Sequence, residues 1–121
     1  MKVALAQKLT GIDSVELGEL PDPAPAAGQV LIRVHGAGVG PWDAGFLGGG
    51  FPGIALPFVP GQEVAGIVEA VGDGAGVQPG ERVYAGLFPA GGGFAELALA
   101  SADRVAPMPG QASFAEAAGL V

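Results

Sequence analysis

From Val64 the chain alternates between two faces, with Val64, Gly66, Val68 and Ala70 on one and Ala65, Ile67, Glu69 and Val71 on the other. That period of two is the signature of a β-strand. Pro60 and Gly61 mark a turn just before it, so the polar pair Gln62 and Glu63 falls at the strand's mouth. Two readings fit such a pair: a polar loop entering a core strand, or the lip of a cleft to which the strand delivers chemistry. Similar short alternating runs predict further strands near Val3 to Gln7, Val15 to Leu20, Val30 to His35, Arg82 to Ala85, Phe94 to Ala100 and Arg104 to Pro107. Asp43 to Leu47 suits a short helical turn, Pro21 to Gly28 a proline-rich surface connection, and Gly48 to Pro60 a loop. The expected fold class is mainly β, a small barrel or sandwich with short helical turns.

The last nine residues change the pattern. Ser113-Phe114-Ala115-Glu116 fits the S-x-x-E capping box, in which serine and glutamate satisfy free amides of a helix's first turn. Only five residues follow, too few for a helix to stand without packing on something.

Composition narrows the class. One domain is the natural count for 121 residues. The 23 glycines and 11 prolines approach low-complexity levels, but half the residues are hydrophobic and ordered into strand-like runs, so a folded core is expected. A net charge of -7 with five basic residues leaves no basic face for nucleic acid. The apolar run at the start is short for a signal peptide, and no segment approaches a membrane span of roughly 20 apolar residues. With no cysteine there is neither a disulfide nor a thiolate metal site, and a cytoplasmic location is expected.

Four segments in order carry a family resemblance. They are Val34-His35-Gly36-Ala37-Gly38-Val39-Gly40-Pro41-Trp42-Asp43, then Pro60-Gly61-Gln62-Glu63-Val64-Ala65-Gly66-Ile67-Val68-Glu69-Ala70-Val71-Gly72, then Gly80-Glu81-Arg82-Val83, then Gly91-Gly92-Gly93-Phe94-Ala95-Glu96. The order resembles the amino-terminal, GroES-like domain of the medium-chain dehydrogenase/reductase superfamily, in particular its zinc-independent quinone oxidoreductases. The resemblance implies a GroES-like domain over residues 1–112. It also implies that residues 113–121 begin a helix leading into a nucleotide-binding Rossmann domain absent from these 121 residues, so the isolated chain is expected to be inactive and prone to self-association.

Zinc-dependent relatives place a cysteine where Gly40 stands and a histidine where Gln62 stands, so the resemblance implies no zinc. The lone His35 cannot supply a three-ligand site and reads as an ordinary strand residue. Gly48-Gly49-Gly50-Phe51-Pro52-Gly53 satisfies G-x-G-x-x-G as a string, but Pro57 and Pro60 break any helix after it, and a pyrophosphate site needs that helix. No phosphate-binding residue for NADPH is therefore assigned here. By resemblance, Gly40, Pro41, Trp42, Phe46 and Gln62 shape the cleft around the nicotinamide ring and the substrate, although Trp42 and Phe46 equally suit plain loop packing. Neutral polar groups beside an aromatic suit a quinone or another conjugated carbonyl. Two departures blur the substrate class: the family's asparagine is Gly40, and its basic residue after the aspartate is Leu47. Asp43 is expected to cap the helical turn, and Glu63 to make structural hydrogen bonds. No residue is assigned as catalytic. The rival reading is a non-enzymatic binding or assembly module on the same fold, as in the co-chaperonin GroES.

Overall fold

A computed structural model describes residues 1–120. Strands β1 (Lys2–Ala6) and β2 (Val15–Glu19) form an antiparallel ribbon, and a tight helical turn at Ile12–Ser14 joins them. Strands β3 (Gln29–Gly38), β4 (Glu63–Val71), β5 (Arg82–Gly86), β6 (Leu97–Ser101) and β7 (Val105–Pro107) form an antiparallel sheet in the order β6-β3-β4-β5-β7. Isolated bridges Val3–Ala95 and Ala6–Phe58 tie the ribbon to the loops of this sheet. Two short helices complete the chain, α1 (Pro41–Leu47) and α2 (Phe114–Ala118). The architecture is mainly β, as the alternation predicts.

The two faces of β4 have different coverings. Val64 and Val68 join Val30, Ile32, Val83 and Ala98 in the main core, whereas Ala65 on the opposite face meets Ala117 and Ala118 of α2. A third cluster lies beneath α1, where Ala6, Phe46, Leu47 and Phe58 are buried together. Phe46 stacks on Phe51 and Phe58 at centroid separations of 4.0 and 5.4 Å. Burying one such ring contributes about 2–3 kcal/mol.

Two boundaries differ from the sequence expectation. The strand expected to begin at Phe94 begins at Leu97, because Phe94–Glu96 bonds to β1 instead: Ala4 donates to the Phe94 carbonyl and Lys2 to the Glu96 carboxylate. β3 continues past His35 to Gly38, through glycines that read as a turn. Their missing side chains make room for α2. A Cβ on Gly36 would stand 2.9 Å from the Phe114 carbonyl oxygen, and one on Gly38 3.2 Å from that of Ala118. His35, exposed on the same strand, stacks on Phe114 at 4.7 Å, and the Arg82 guanidinium lies over that ring at 4.8 Å.

α2 is fastened by the reciprocal pair read from the sequence. Glu116 N donates to Ser113 Oγ at 3.1 Å, and Ser113 N donates to Glu116 Oε1 at 3.0 Å. The backbone hydrogen bond from Ser113 holds the Glu116 carboxyl below its ordinary value of 4.5. Because the folded value is depressed, the cap is complete above the ordinary carboxylate range and is lost as pH falls through the lowered value. In an acid titration followed by NMR, the Ser113 amide should therefore shift with a midpoint below that of an unstructured glutamate.

Gly66 pairs with Val34 across β4 and β3, and a Cβ there would collide with the Arg33 carbonyl oxygen. Gly66→Ala should cost about 3 kcal/mol by overpacking against backbone. Gly74→Ala, at φ 78 but facing open space, should cost about 1 kcal/mol through backbone conformation alone. Urea denaturation of the two variants checks the difference.

Candidate functional site at the common end of β3, β4 and β5

Antiparallel pairing brings the functional segments together. The end of β3 meets the start of β4 in the pair Gly38–Glu63, and the start of β4 meets the end of β5 in the pair Glu63–Gly86. Ala85 pairs with Val105, so the turn before β7, which carries Arg104, arrives at the same end. A cleft of about 270 Å³ opens here, lined by Trp42, Gln62, Glu63, Gly86, Phe88 and Arg104.

Asp43 ties together two of the segments that frame the cleft. The N-cap of α1 is Gly40 and Pro41 occupies the first helical position, where a missing N–H costs nothing. Asp43 stands three residues after the cap, so it is not the capping residue expected from the sequence. Its carboxylate reaches back to the Gly40 amide (Oδ2, 3.0 Å) and across to the Gly61 amide (Oδ1, 2.8 Å). It is buried, and it ties the start of α1 to the turn that introduces Gln62 and Glu63. Gly61 takes φ +99, and a Cβ there would press on Gly93 and Phe94 at 2.8 Å, so the position requires glycine.

Gln62 is 4% exposed. Its Oε1 accepts a hydrogen bond from Gly91 N at 3.2 Å, and its carbonyl accepts one from Leu87 N at 2.7 Å. Because an N–H faces that side-chain atom, the atom must be the oxygen, which fixes the amide's orientation. Nε2 is then the one buried side-chain nitrogen or oxygen among the described residues without a partner. Gln62 thus braces the turn after β5 from two sides and keeps one donor unused. Glu63 departs from the structural role expected of it: its side chain makes no hydrogen bond among those of the described residues, and its carboxylate lies over Gly38 at the cleft wall.

Trp42, 52% exposed, meets Phe88 edge to face at 5.7 Å. Phe88 in turn packs against Phe46 at 5.8 Å. Phe46, expected at the cleft, has no exposed surface and supports Phe88 from behind, because the apolar cluster under α1 claims its ring. Of the five residues expected at the cleft, Trp42 and Gln62 line it, while Gly40 and Pro41 form the start of the helix that presents Trp42. Sequence reading missed Gly86, Phe88 and Arg104 as lining residues, and it raised Glu63 at the lip of a cleft before giving it a structural role. A signal existed for Gly86 and Phe88, since a strand antiparallel to β4 must end where β4 begins. Arg104 lies farther along the chain and carries no motif.

The family model of the alcohol dehydrogenase GroES-like domain matches residues 26–110, which contain this whole cleft. The chain belongs to that family. The resemblance read from the four segments holds at finer grain: the domain is 41% identical to mouse quinone oxidoreductase over 100 residues, covering 81% of this chain and 30% of that protein. A trans-enoyl reductase of Fusarium mangiferae is 36% identical over 102 residues, covering 84% of this chain and 26% of its own length. Among solved structures, Escherichia coli quinone oxidoreductase complexed with NADPH superposes on the entire chain with a TM-score of 0.92 at 27% identity, over 37% of its own length. The GroES-like domain described here therefore spans about a third of the length of these relatives. Among its described residues no group of three or more His, Cys, Asp or Glu is gathered that could hold a metal ion, and no helix is long and apolar enough to cross a membrane.

The Asp43 clamp carries a direct stability test. Asp43→Asn keeps one acceptor but turns an amide group toward an N–H, and should cost about 2 kcal/mol; Asp43→Ala, leaving two amides unpaired, should cost about 3–4 kcal/mol. Equilibrium denaturation of both variants checks the order and the size.

Proposed function

We propose that this domain forms the acceptor-side wall of an NADPH-dependent oxidoreductase that transfers hydride to a quinone or an α,β-unsaturated carbonyl. The convergence of Trp42, Phe88 and Gln62 on one strand end, within a family whose matched relatives include quinone oxidoreductases and a trans-enoyl reductase, carries the reading.

The residues fit the ring end of the cofactor and not its phosphates. The apolar wall of Trp42 and Phe88 suits a flat ring, and Gln62, which lines the same cleft, keeps Nε2 as an unused donor for a carbonyl oxygen. The Gly48–Gly53 string follows α1, with Gly48 as its C-cap, so it lies at the negative end of a helix dipole, the wrong end for a pyrophosphate. We therefore assign the phosphates to a nucleotide-binding domain outside these 121 residues, and assign residues 113–121 to the connection toward it. When bound, NADPH supplies the hydride. This chain's part is to hold the acceptor flat against the aromatic wall and to orient its carbonyl. The proton that completes reduction would come from water, to which the cleft is open.

The exposed apolar side chains around the cleft, Val39, Trp42 and Phe88, belong in this reading to the surface that the second domain covers; alone, the chain would bury them by self-association.

Joining this chain in frame to the nucleotide-binding domain of the Escherichia coli relative tests the proposal. The chimera should oxidise NADPH only when a quinone is present, and Trp42→Ala should lower kcat/KM for quinone about tenfold by removing one aromatic contact, with NADPH affinity unchanged. A folded chimera that binds NADPH yet reduces no quinone or conjugated carbonyl contradicts the assignment.

A further inference from the structure

Arg104 is the one cationic side chain lining the cleft, and it also borders two neighbouring depressions. One, of about 560 Å³, shares Gly86 and Phe88 with the cleft and is walled by the 86–92 segment and β6; the other contains Tyr84, Asp103 and Leu120. Arg104 therefore stands where the cleft runs out onto the surface. Its Nη1 donates to the Phe88 carbonyl at 3.0 Å, and it makes no ion pair among the described residues, although Asp103 precedes it directly. By contrast, Arg33 is paired with Glu69, and Arg82 lies over Phe114 while donating to the Ala112 carbonyl. A guanidinium has five N–H donors in a planar fork matched to an oxyanion. Holding Phe88 uses one and fixes the side chain at the cleft mouth. In a chain of net charge -7, a cation without an ion pair among the described residues is the cleft's one attractive point for an anion.

We propose that Arg104 is a specificity-determining residue that selects acceptors bearing an oxyanion group, such as a carboxylate, sulfonate or phosphate, attached to the conjugated carbonyl ring. The inference rests on the acceptor-side reading above. Glu63, also on the cleft wall, repels an anion at the strand end. The acceptor's ring accordingly lies against the wall formed by Trp42 and Phe88, with its charged group at Arg104, toward the larger depression. The bond to the Phe88 carbonyl couples selection to geometry, because the residue that grips the oxyanion also positions the ring's aromatic wall.

The test uses the 121-residue chain, nitrogen-labelled and at a dilution where light scattering shows a monomer, titrated with naphthoquinone, with its sulfonate and with NADP+, while NMR follows the Trp42 indole N–H and the Arg104 Nε–H. The absence of cysteine removes thiol addition to the quinone as a complication. The sulfonate should bind about tenfold more tightly than the parent, the scale of a hydrogen bond to a charged group, and shift both signals. Arg104→Gln should erase the preference, read as the ratio of the two quinones' affinities for the same variant, and Arg104→Lys should restore part of it. Equal affinity for the two quinones, or a preference that survives Arg104→Gln, overturns the inference and leaves the acceptor-side reading standing. If the Trp42 signal moves with neither quinone, both fall. If NADP+ shifts Arg104 and the sulfonate does not, the oxyanion belongs to the cofactor and the acceptor-selection role is overturned.

Discussion

The carboxylate of Asp43 is the interaction on which the rest of the site depends. Two backbone amides, Gly40 at the start of α1 and Gly61 in the turn before β4, point at one buried side chain. Asp43 and Gly61 lie 18 residues apart, and the glycine-rich loop between them packs through Phe51 and Phe58 on Phe46. The clamp adds a direct tie between the two ends of that loop. On one side it sets where Trp42 projects, and on the other it sets where Gln62 enters the strand. A buried carboxylate accepting two N–H bonds is strong enough for that task, since hydrogen bonds to charged groups contribute about 1.5–3 kcal/mol each.

From that clamp the cleft is assembled by a chain of braces. Gln62 holds the turn after β5 through Gly91 and Leu87, that turn carries Phe88, and Arg104 grips the Phe88 carbonyl from the next segment. Phe46 fills the space behind the Phe88 ring. Almost every residue at the cleft thus has a structural bond and a free surface at once. Gln62 Nε2 and the Glu63 carboxylate are the polar groups left without partners, and unused polarity beside an apolar wall is how a ligand cleft differs from a sealed loop.

Much of this was legible in the sequence because β-structure writes itself with period two. The alternation from Val64 to Val71 located β4 and its inward face, and the Ser113–Glu116 spacing located the start of α2. What escaped was information carried by pairing between distant segments. Asp43 reads as a helix cap by local grammar, yet its second bond goes to Gly61. Phe46 reads as one more aromatic near the cleft, yet Leu47, Phe58 and Ala6 draw it into the core. The glycines after His35 read as a turn, and only the seating of α2 explains why they remain strand. Arg104 became visible at the site only once β7 was placed beside β5.

The central claim, that the buried Asp43 carboxylate ties the start of α1 to the turn before β4 and so frames the cleft, is tested most directly by hydrogen exchange of single amides in the native chain. Gly61 lies outside every strand and helix, so an unheld loop amide there would exchange as fast as the open turn at Gly74. The account predicts that the Gly61 amide is protected to the level of the β4 amide of Val68. Exchange of Gly61 at the rate of Gly74, with Val68 still protected, would contradict it.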